Sequence, residues 1–477
     1  MNRTHKRGGY LQSTGPLHEM IRRRNPTMMM KKNDCPKSKA MTKEFLDYFP
    51  VAHSNMRIKV SAQNYRMFID HGEGARLYDV DGNEYIDYCI SYGPTALGAV
   101  HPELSEALVD LIRTQPTSSF FFSEDDIKLG RLIRKNIPNA DRIKMAMTGT
   151  EAVQVAIRIA RAYTGKKMIL KFAECFHGWI DNVFGGEYDP SPSGMPVMTV
   201  REEDHSWCPG LSEVSREETL IIPFNDFDIL EETFEKYGHL IAICHFEAVP
   251  INCFSIQPKP GFIEKIRELC TKYNVVMSMD EVLTGFRVGP GGAQELFGVK
   301  PDLSTFGKMF AGGIASAFVS GVDEVMRVLP EENVLAAGTF NGWPLAQRAA
   351  ATTIDILTRN DGQMYKDMYA KQEKIMDGVV ELADKYGFKV RVSENPGCFY
   401  TIFGVDGGRK PIYSVDEIAE KSEEQNTRFH TLMENNGVLI LPENRWLMCF
   451  VLTDEDVQWT LEAAEESMKQ MAEEGLL

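Results

Sequence analysis

Apolar and polar positions between residues 101 and 340 alternate between two periods. Stretches such as "EAVQVAIRIARAYTG" bring apolar residues back every three or four positions and predict helices. In contrast, "KKMILKF", "LIAICHFEAV" and "NVVMSMDE" are short apolar runs that predict buried strands. Helix and strand taking turns imply a largely parallel sheet covered by helices. Upstream, "ARLYDVDGNEYIDYCISYG" predicts two short strands around the Asp81-Gly82 turn, the hairpin of a smaller unit. Beyond residue 346, the amphipathic "MYAKQEKIMDGVVELADKYG" and "TRFHTLMENNG" surround the strands "KVRVSE" and "GCFYTIFGV", which predicts a second, α+β unit. No internal repeat or low-complexity linker separates the units. The expected organisation is an extension over 1–40, the N-terminal segment of a small domain over 41–100, a large domain over 101–345 and a C-terminal small domain over 346–477.

Charge changes this picture at one end only. Residues 1–40 carry ten Lys or Arg against Glu19 and Asp34, which leaves −24 for the remainder of a chain whose net charge is −16. With little apolar periodicity, that segment reads as a disordered tail, and the run Met28, Met29, Met30 offers later translation starts. It lacks the apolar stretch of a targeting peptide. The acidic balance argues against a nucleic-acid partner, and no uninterrupted apolar run is long enough to span a bilayer. Nine Cys without a C-x-x-C pair or metal-ligand spacing read as reduced thiols of a cytoplasmic protein with no metal site.

Three short stretches carry candidate chemistry. The strand "VVMSMDE" delivers Asp280 and Glu281 at its end, where burial penalises either charge unless something compensates it. Parallel sheets hold their chemistry at the carboxyl ends of strands. Twenty-eight residues on, "STFGKMFAGG" sets Lys308 in an apolar, glycine-rich turn, where an amine is poorly solvated and becomes a candidate nucleophile. Pyridoxal phosphate would use both residues, a lysine for its aldehyde and a carboxylate for its ring nitrogen. The plain alternative makes Asp280 a strand-end cap and Lys308 a surface residue, and spacing alone does not separate the two. Thr148-Gly149-Thr150, opening a helix with Glu151 in its first turn, offers an anion seat that an ordinary capping motif would also produce.

Taken together, "DEVLTGFRVGPGGAQELFGVKPDLSTFGKMFAGGI", "TGTEAVQVAIRIARAYTGK", "FHGW" and "GTFNGWPLAQRAAA" resemble the class III aminotransferases, pyridoxal-phosphate enzymes of fold type I. Within that family the motifs are most similar to those of the glutamate-1-semialdehyde aminomutases, from about Met41 to the C-terminus. The resemblance implies an α/β fold-type-I transferase, with a large, mostly parallel-sheet domain and a smaller α+β domain. It implies that Lys308 forms the Schiff base with pyridoxal 5'-phosphate, that Asp280 pairs with the ring nitrogen, and that Gly149 and Thr150 bind the phosphate. It also implies Phe176 against the ring, Asn252 near the ring hydroxyl, and Thr339 reaching the phosphate of a neighbouring subunit in a homodimer with shared sites. Arg57, Tyr92 and Arg445 are the expected substrate contacts, and His177 receives no role.

The resemblance fails at the substrate wall. The aminomutase string "PSQFEAGF" stands here as "PENRWLMCF", which loses a glutamate and brings Arg445 and Trp446 toward the pocket. An added cation and indole favour an intermolecular aminotransferase, working between a small-molecule amino donor and a keto acceptor. The alternative is aminomutase-type intramolecular transfer, and a noncatalytic cofactor-binding protein is a third reading that Lys308 and Asp280 disfavour.

Overall fold

The computed structural model describes residues 34–49, 65–117, 121–186 and 210–477. Residues 1–33 of the basic extension therefore lie outside the description. The first helix, Pro36–Tyr48, already takes in the last five residues of the stretch read as an extension. Its N-terminus is capped from a distance, because the Asp81 carboxylate accepts the Lys37 and Ser38 N–H groups at 2.7 and 2.9 Å.

Asp81 sits in the turn between strands β2 (Arg76–Asp79) and β3 (Glu84–Asp87), which pair antiparallel as the sequence predicts. Gly82 occupies that turn at φ 84°, a left-handed value that only glycine adopts cheaply. A preceding strand, β1 (Ile69–Glu73), pairs with β2, and Val438–Leu439 adds a parallel strand beside β3, so the small sheet draws on both ends of the chain.

Seven strands form the large sheet: β4 (Arg142–Ala146), β5 (Met168–Phe172), β6 (Thr219–Ile222), β7 (Ile241–Phe246), β8 (Val276–Glu281), β9 (Leu303–Phe306) and β10 (Ala317–Gly321). Their spatial order is β4-β10-β9-β8-β7-β5-β6, with β10 alone antiparallel to its neighbours. Strand alternation then decides what each face receives. Met277 and Met279 of β8 pack with Cys244, Phe246 and Phe262 on one face. Val276 packs on the other, with Ile243 of β7, Leu303 of β9 and the helix Gly149–Thr164. The same alternation puts Ser278, Asp280, His245 and Thr305 on that second face, and the pairs His245–Ser278 and Asp280–Thr305 are in register across adjacent strands.

A third sheet joins Val390–Asn395, Cys398–Phe403 and Arg445–Leu447. Here the expectation for Trp446 is corrected. Within a three-residue strand, Arg445 and Trp446 must point to opposite faces, and the indole turns into the core. Trp446 is fully buried, stacked on Phe399 at 5.2 Å, edge-on to Tyr88 at 5.1 Å, and donates from Nε1 to Thr401 Oγ1 at 3.1 Å. Trp446→Ala is expected to cost about 3–5 kcal/mol of stability, read as a lowered urea midpoint. A midpoint within a few tenths of a molar of the unmutated protein would place the indole outside the core.

Candidate active site

The carboxyl ends of β7, β8 and β9 open onto one cavity of about 390 Å³. Glu247 follows β7, Asp280 ends β8 and Lys308 lies just past β9, and all three line it. The start of the helix Gly149–Thr164 lines it too, together with Phe176 and Asn252. Sequence reasoning therefore brings Lys308, Asp280, Gly149, Thr150, Phe176 and Asn252 to one place.

The two strand-end carboxylates are compensated differently because alternation sends them to opposite sides. Glu281 faces away from the site and is satisfied locally by Thr284 Oγ1 and by the Ala293 and Gln294 N–H groups, each at 2.9 Å. Asp280 Oδ1 accepts the Val282 N–H at 3.0 Å and Thr305 Oγ1 at 3.1 Å. Its Oδ2 lies 2.7 Å from His177 Nδ1 and 3.4 Å from His245 Nε2. Burial opposes ionisation of Asp280, but the hydrogen bond from His177 and the nearby His245 outweigh it and hold the carboxyl well below the usual range. His177 is itself driven down to about 3, by burial first and then by the adjacent His245, so it stays a neutral donor. Neither imidazole was legible as a site residue. His177 lies in the loop after β5, and His245 is the one charged-capable residue in the apolar run of β7.

Lys308 follows Gly307 with φ 52°, a left-handed value whose cost of about 1–3 kcal/mol for a non-glycine residue is characteristic of functional turns. Burial pushes its amine downward, against the opposing pull of Glu247. Glu247 is pushed upward by burial and then by the Asp280 charge, while its Oε2 accepts the Phe176 N–H at 2.9 Å. This carboxylate was missed in the sequence, although it directly follows the buried apolar strand β7.

At the helix start, Thr148 Oγ1 accepts the Glu151 N–H at 3.2 Å, which leaves Gly149 and Thr150 N–H outside the helical ladder. Gly178, at φ 93°, lets its loop close on this end: a Cβ there would stand 2.4 Å from Thr150 Oγ1. A dianionic phosphate fits such an end. With an amine, a held carboxylate and a half-exposed Phe176 around the same cavity, the donor set suits pyridoxal phosphate.

The expected substrate residues stand apart from this wall. Arg57 lies outside the described residues. Arg445 is buried behind Asn252, donating to its Oδ1 at 2.6 Å, with its guanidinium 5.7 Å from the Tyr92 ring centre. Tyr92 and Arg445 thus form a second layer that reaches the cavity through Asn252. Thr339 is exposed and touches no part of the cavity within its own chain.

Comparison with known proteins follows the same lines. The family profile "Aminotransferase class-III" matches residues 58–468. A glutamate-1-semialdehyde 2,1-aminomutase of Natranaerobius thermophilus is 33% identical over 424 residues, covering 88% of this chain and 95% of its own length. One from Persephonella marina is 34% identical, covering 85% and 92%. Among solved structures, an omega-transaminase from Sphaerobacter thermophilus superposes with a TM-score of 0.81 at 25% identity, covering 91% of this chain and 97% of that one. The fold is that of the fold-type-I transferases, α/β as expected. No described helix is long and apolar enough to cross a membrane.

Proposed function

The chain belongs to the class III aminotransferases, a family of pyridoxal-phosphate enzymes, and on that premise we propose that it moves an amino group within a small carboxylate-bearing substrate, as the aminomutases it resembles do. The observation that carries the reading is the convergence of Lys308, Asp280 and the Thr148–Thr150 helix start on one cavity. Bound there, the cofactor supplies an aldehyde that captures the substrate nitrogen and a protonated ring that accepts electrons.

The chain's own groups have separable tasks. Gly149 and Thr150 would hold the phosphate, and Phe176, fixed by its N–H to Glu247, would cover the ring. Asp280 stays anionic and would pair with the ring nitrogen. Lys308 Nζ carries a proton from one substrate carbon and returns it to another, a task helped by the burial that keeps its neutral form accessible. Asn252, braced by Arg445, orients the ring hydroxyl side.

A second reading, transfer between an amino donor and a keto acceptor, is favoured by Arg445 itself. A buried guanidinium one layer behind the wall can grip a carboxylate that displaces Asn252 from it. Glutamate-1-semialdehyde supplied alone separates the two readings. Isomerisation to the neighbouring amino ketone without an added acceptor supports the intramolecular reading. No isomerisation, with one keto acid released per site from an amino-acid donor, replaces it with the intermolecular one.

Under either reading Arg57 and Arg445 recognise a carboxylate. Arg57→Ala and Arg445→Ala should each raise KM for carboxylated substrates about tenfold or more and leave simple amines nearly unaffected. Equal losses for both ligand classes would remove arginine from substrate recognition. We further assign a homodimer whose partner takes up Thr339. The flanking Leu335 and Phe340 are 70% and 51% exposed, apolar surface that a second subunit would cover. Dilution that dissociates subunits should release cofactor and activity together, and a fully active monomer in sedimentation would overturn the shared site. We further propose a cytoplasmic setting, on the nine Cys of the sequence that form no C-x-x-C pair.

A further inference from the structure

We infer that Arg287 is a positioning residue for Lys308: it locks the strained Ile90–Gly93 turn against the lysine stem and sets there a positive charge that no acidic group answers. The inference rests on the proposed role of the Lys308 amine and adds what controls its surroundings. Arg287 lies in the turns after β8 and is fully buried. Its Nη2 donates to Gly93 O at 2.6 Å and its Nε to Leu283 O at 3.2 Å, while Nη1 has no partner among the described residues. Only backbone carbonyls receive this guanidinium. The titratable groups facing it are Cys398, Cys449 and Tyr365, and burial pushes all three upward, the Cys449 thiol to about 12, so each is neutral near pH 7. Burial pushes Arg287 itself down to about 10, which still leaves it charged. A buried cation without a counter-ion is costly to desolvate unless it serves something nearby.

The turn that Arg287 holds is built against local preference. Ile90, Ser91 and Tyr92 stand at φ 34°, 55° and 65°, three successive positive values at non-glycine residues, and Gly93 follows at 118°. Asp87 Oδ1 fixes the near end by accepting the Cys89 and Ile90 N–H groups at 2.8 and 2.9 Å, and Arg287 fixes the far end. Pro94, the next residue, lines the cavity. The close approach requires glycine: a Cβ at Gly93 would stand 3.1 Å from Arg287 Nη2 and 3.4 Å from Lys308 Cδ. Guanidinium and lysine stem therefore flank the same glycine, with little solvent to screen one from the other. Burial favours the neutral Lys308 amine; of the charges around it, Glu247 and Asp280 favour the protonated form, Arg445 and Arg287 the neutral one. The neutral amine is the form that attacks an aldehyde or takes up a proton, so Arg287 acts in the direction the proposed chemistry needs.

The test is trace acetylation with acetic anhydride, across a pH series, of the full-length protein saturated with pyridoxamine 5'-phosphate, which has no aldehyde and leaves Lys308 free. Mass spectrometry of the Lys308 peptide, with the exposed Lys374 as internal reference, gives the pH midpoint at which the Lys308 amine becomes reactive. Arg287→Gln, which keeps a donor for Gly93 but no charge, and Arg287→Met should each raise that midpoint by about 0.5–1 pH unit. Arg287→Lys, which keeps the charge, should restore most of the difference. A merely structural role would move the lysine variant as far as the glutamine one; that result, or an unchanged midpoint in Arg287→Gln, would overturn the inference. A Lys308 midpoint equal to that of Lys374 in the unmutated protein would overturn Lys308 as the activated amine, and the inference with it. Should the uncharged variants fail to fold, NMR of the ¹⁵N-arginine-labelled unmutated protein still decides. The Arg287 side-chain signal, identified by its loss in Arg287→Lys, should shift at the Lys308 midpoint, and a signal that stays fixed through it refutes the contact.

Discussion

Lys308→Ala is expected to lower turnover by about 10⁴-fold or more while leaving the fold and much of the cofactor affinity in place. In the proposed assignment one amine performs two tasks, attachment and proton transfer, and no neighbour can substitute. Glu247 lines the same cavity and pulls on the Lys308 amine, but burial pushes its carboxyl upward and its Oε2 is committed to the Phe176 N–H. A general base alone contributes about 10²–10⁴-fold, and loss of the covalent attachment adds to it. Retained cofactor binding follows because the helix start at Gly149 and the Asp280 contact are untouched by the substitution. The check is single-turnover kinetics together with equilibrium cofactor titration. Residual turnover within tenfold of the unmutated enzyme would mean that another group carries the proton.

Asp280→Asn is the second large effect, about 10²–10³-fold in turnover. The amide nearly matches the carboxylate in shape: its oxygen can still accept from Val282 and Thr305, while its nitrogen faces His177 Nδ1, which accepts in its other tautomer, so the fold should survive. What disappears is the negative charge proposed to keep a proton on the ring nitrogen. The loss should therefore fall on kcat rather than on KM, since it concerns electron uptake and not substrate binding. A loss confined to KM would contradict the role given to Asp280.

Much of this site could be read from sequence because its residues break a local rule. A charge at the end of a buried apolar strand and a lone lysine in a glycine-rich turn are conspicuous against their surroundings, and both line the cavity. The alternating pattern also carried the helix-covered sheet. The reversal of β10 was not readable, since Ala317–Gly321 is buried throughout and a strand covered on both faces looks the same in either direction. Trp446 misled for a related reason: proximity in sequence to Arg445 says nothing about the face, and alternation turned the two apart. His177 and Asp280 are 103 positions apart, and only the sheet topology makes them partners. Glu247, directly after the buried apolar run of β7, carried a similar signature, so it was legible and overlooked.

The central claim is that the cavity between Lys308, Asp280 and the Gly149 helix start binds pyridoxal phosphate through the Lys308 amine. Borohydride reduction of the purified yellow holoenzyme, followed by peptide mapping, tests it most directly. The account predicts one cofactor adduct per chain, on the peptide "STFGKMFAGG" at Lys308. An adduct on any other lysine, or a cofactor that washes away after reduction, would contradict it.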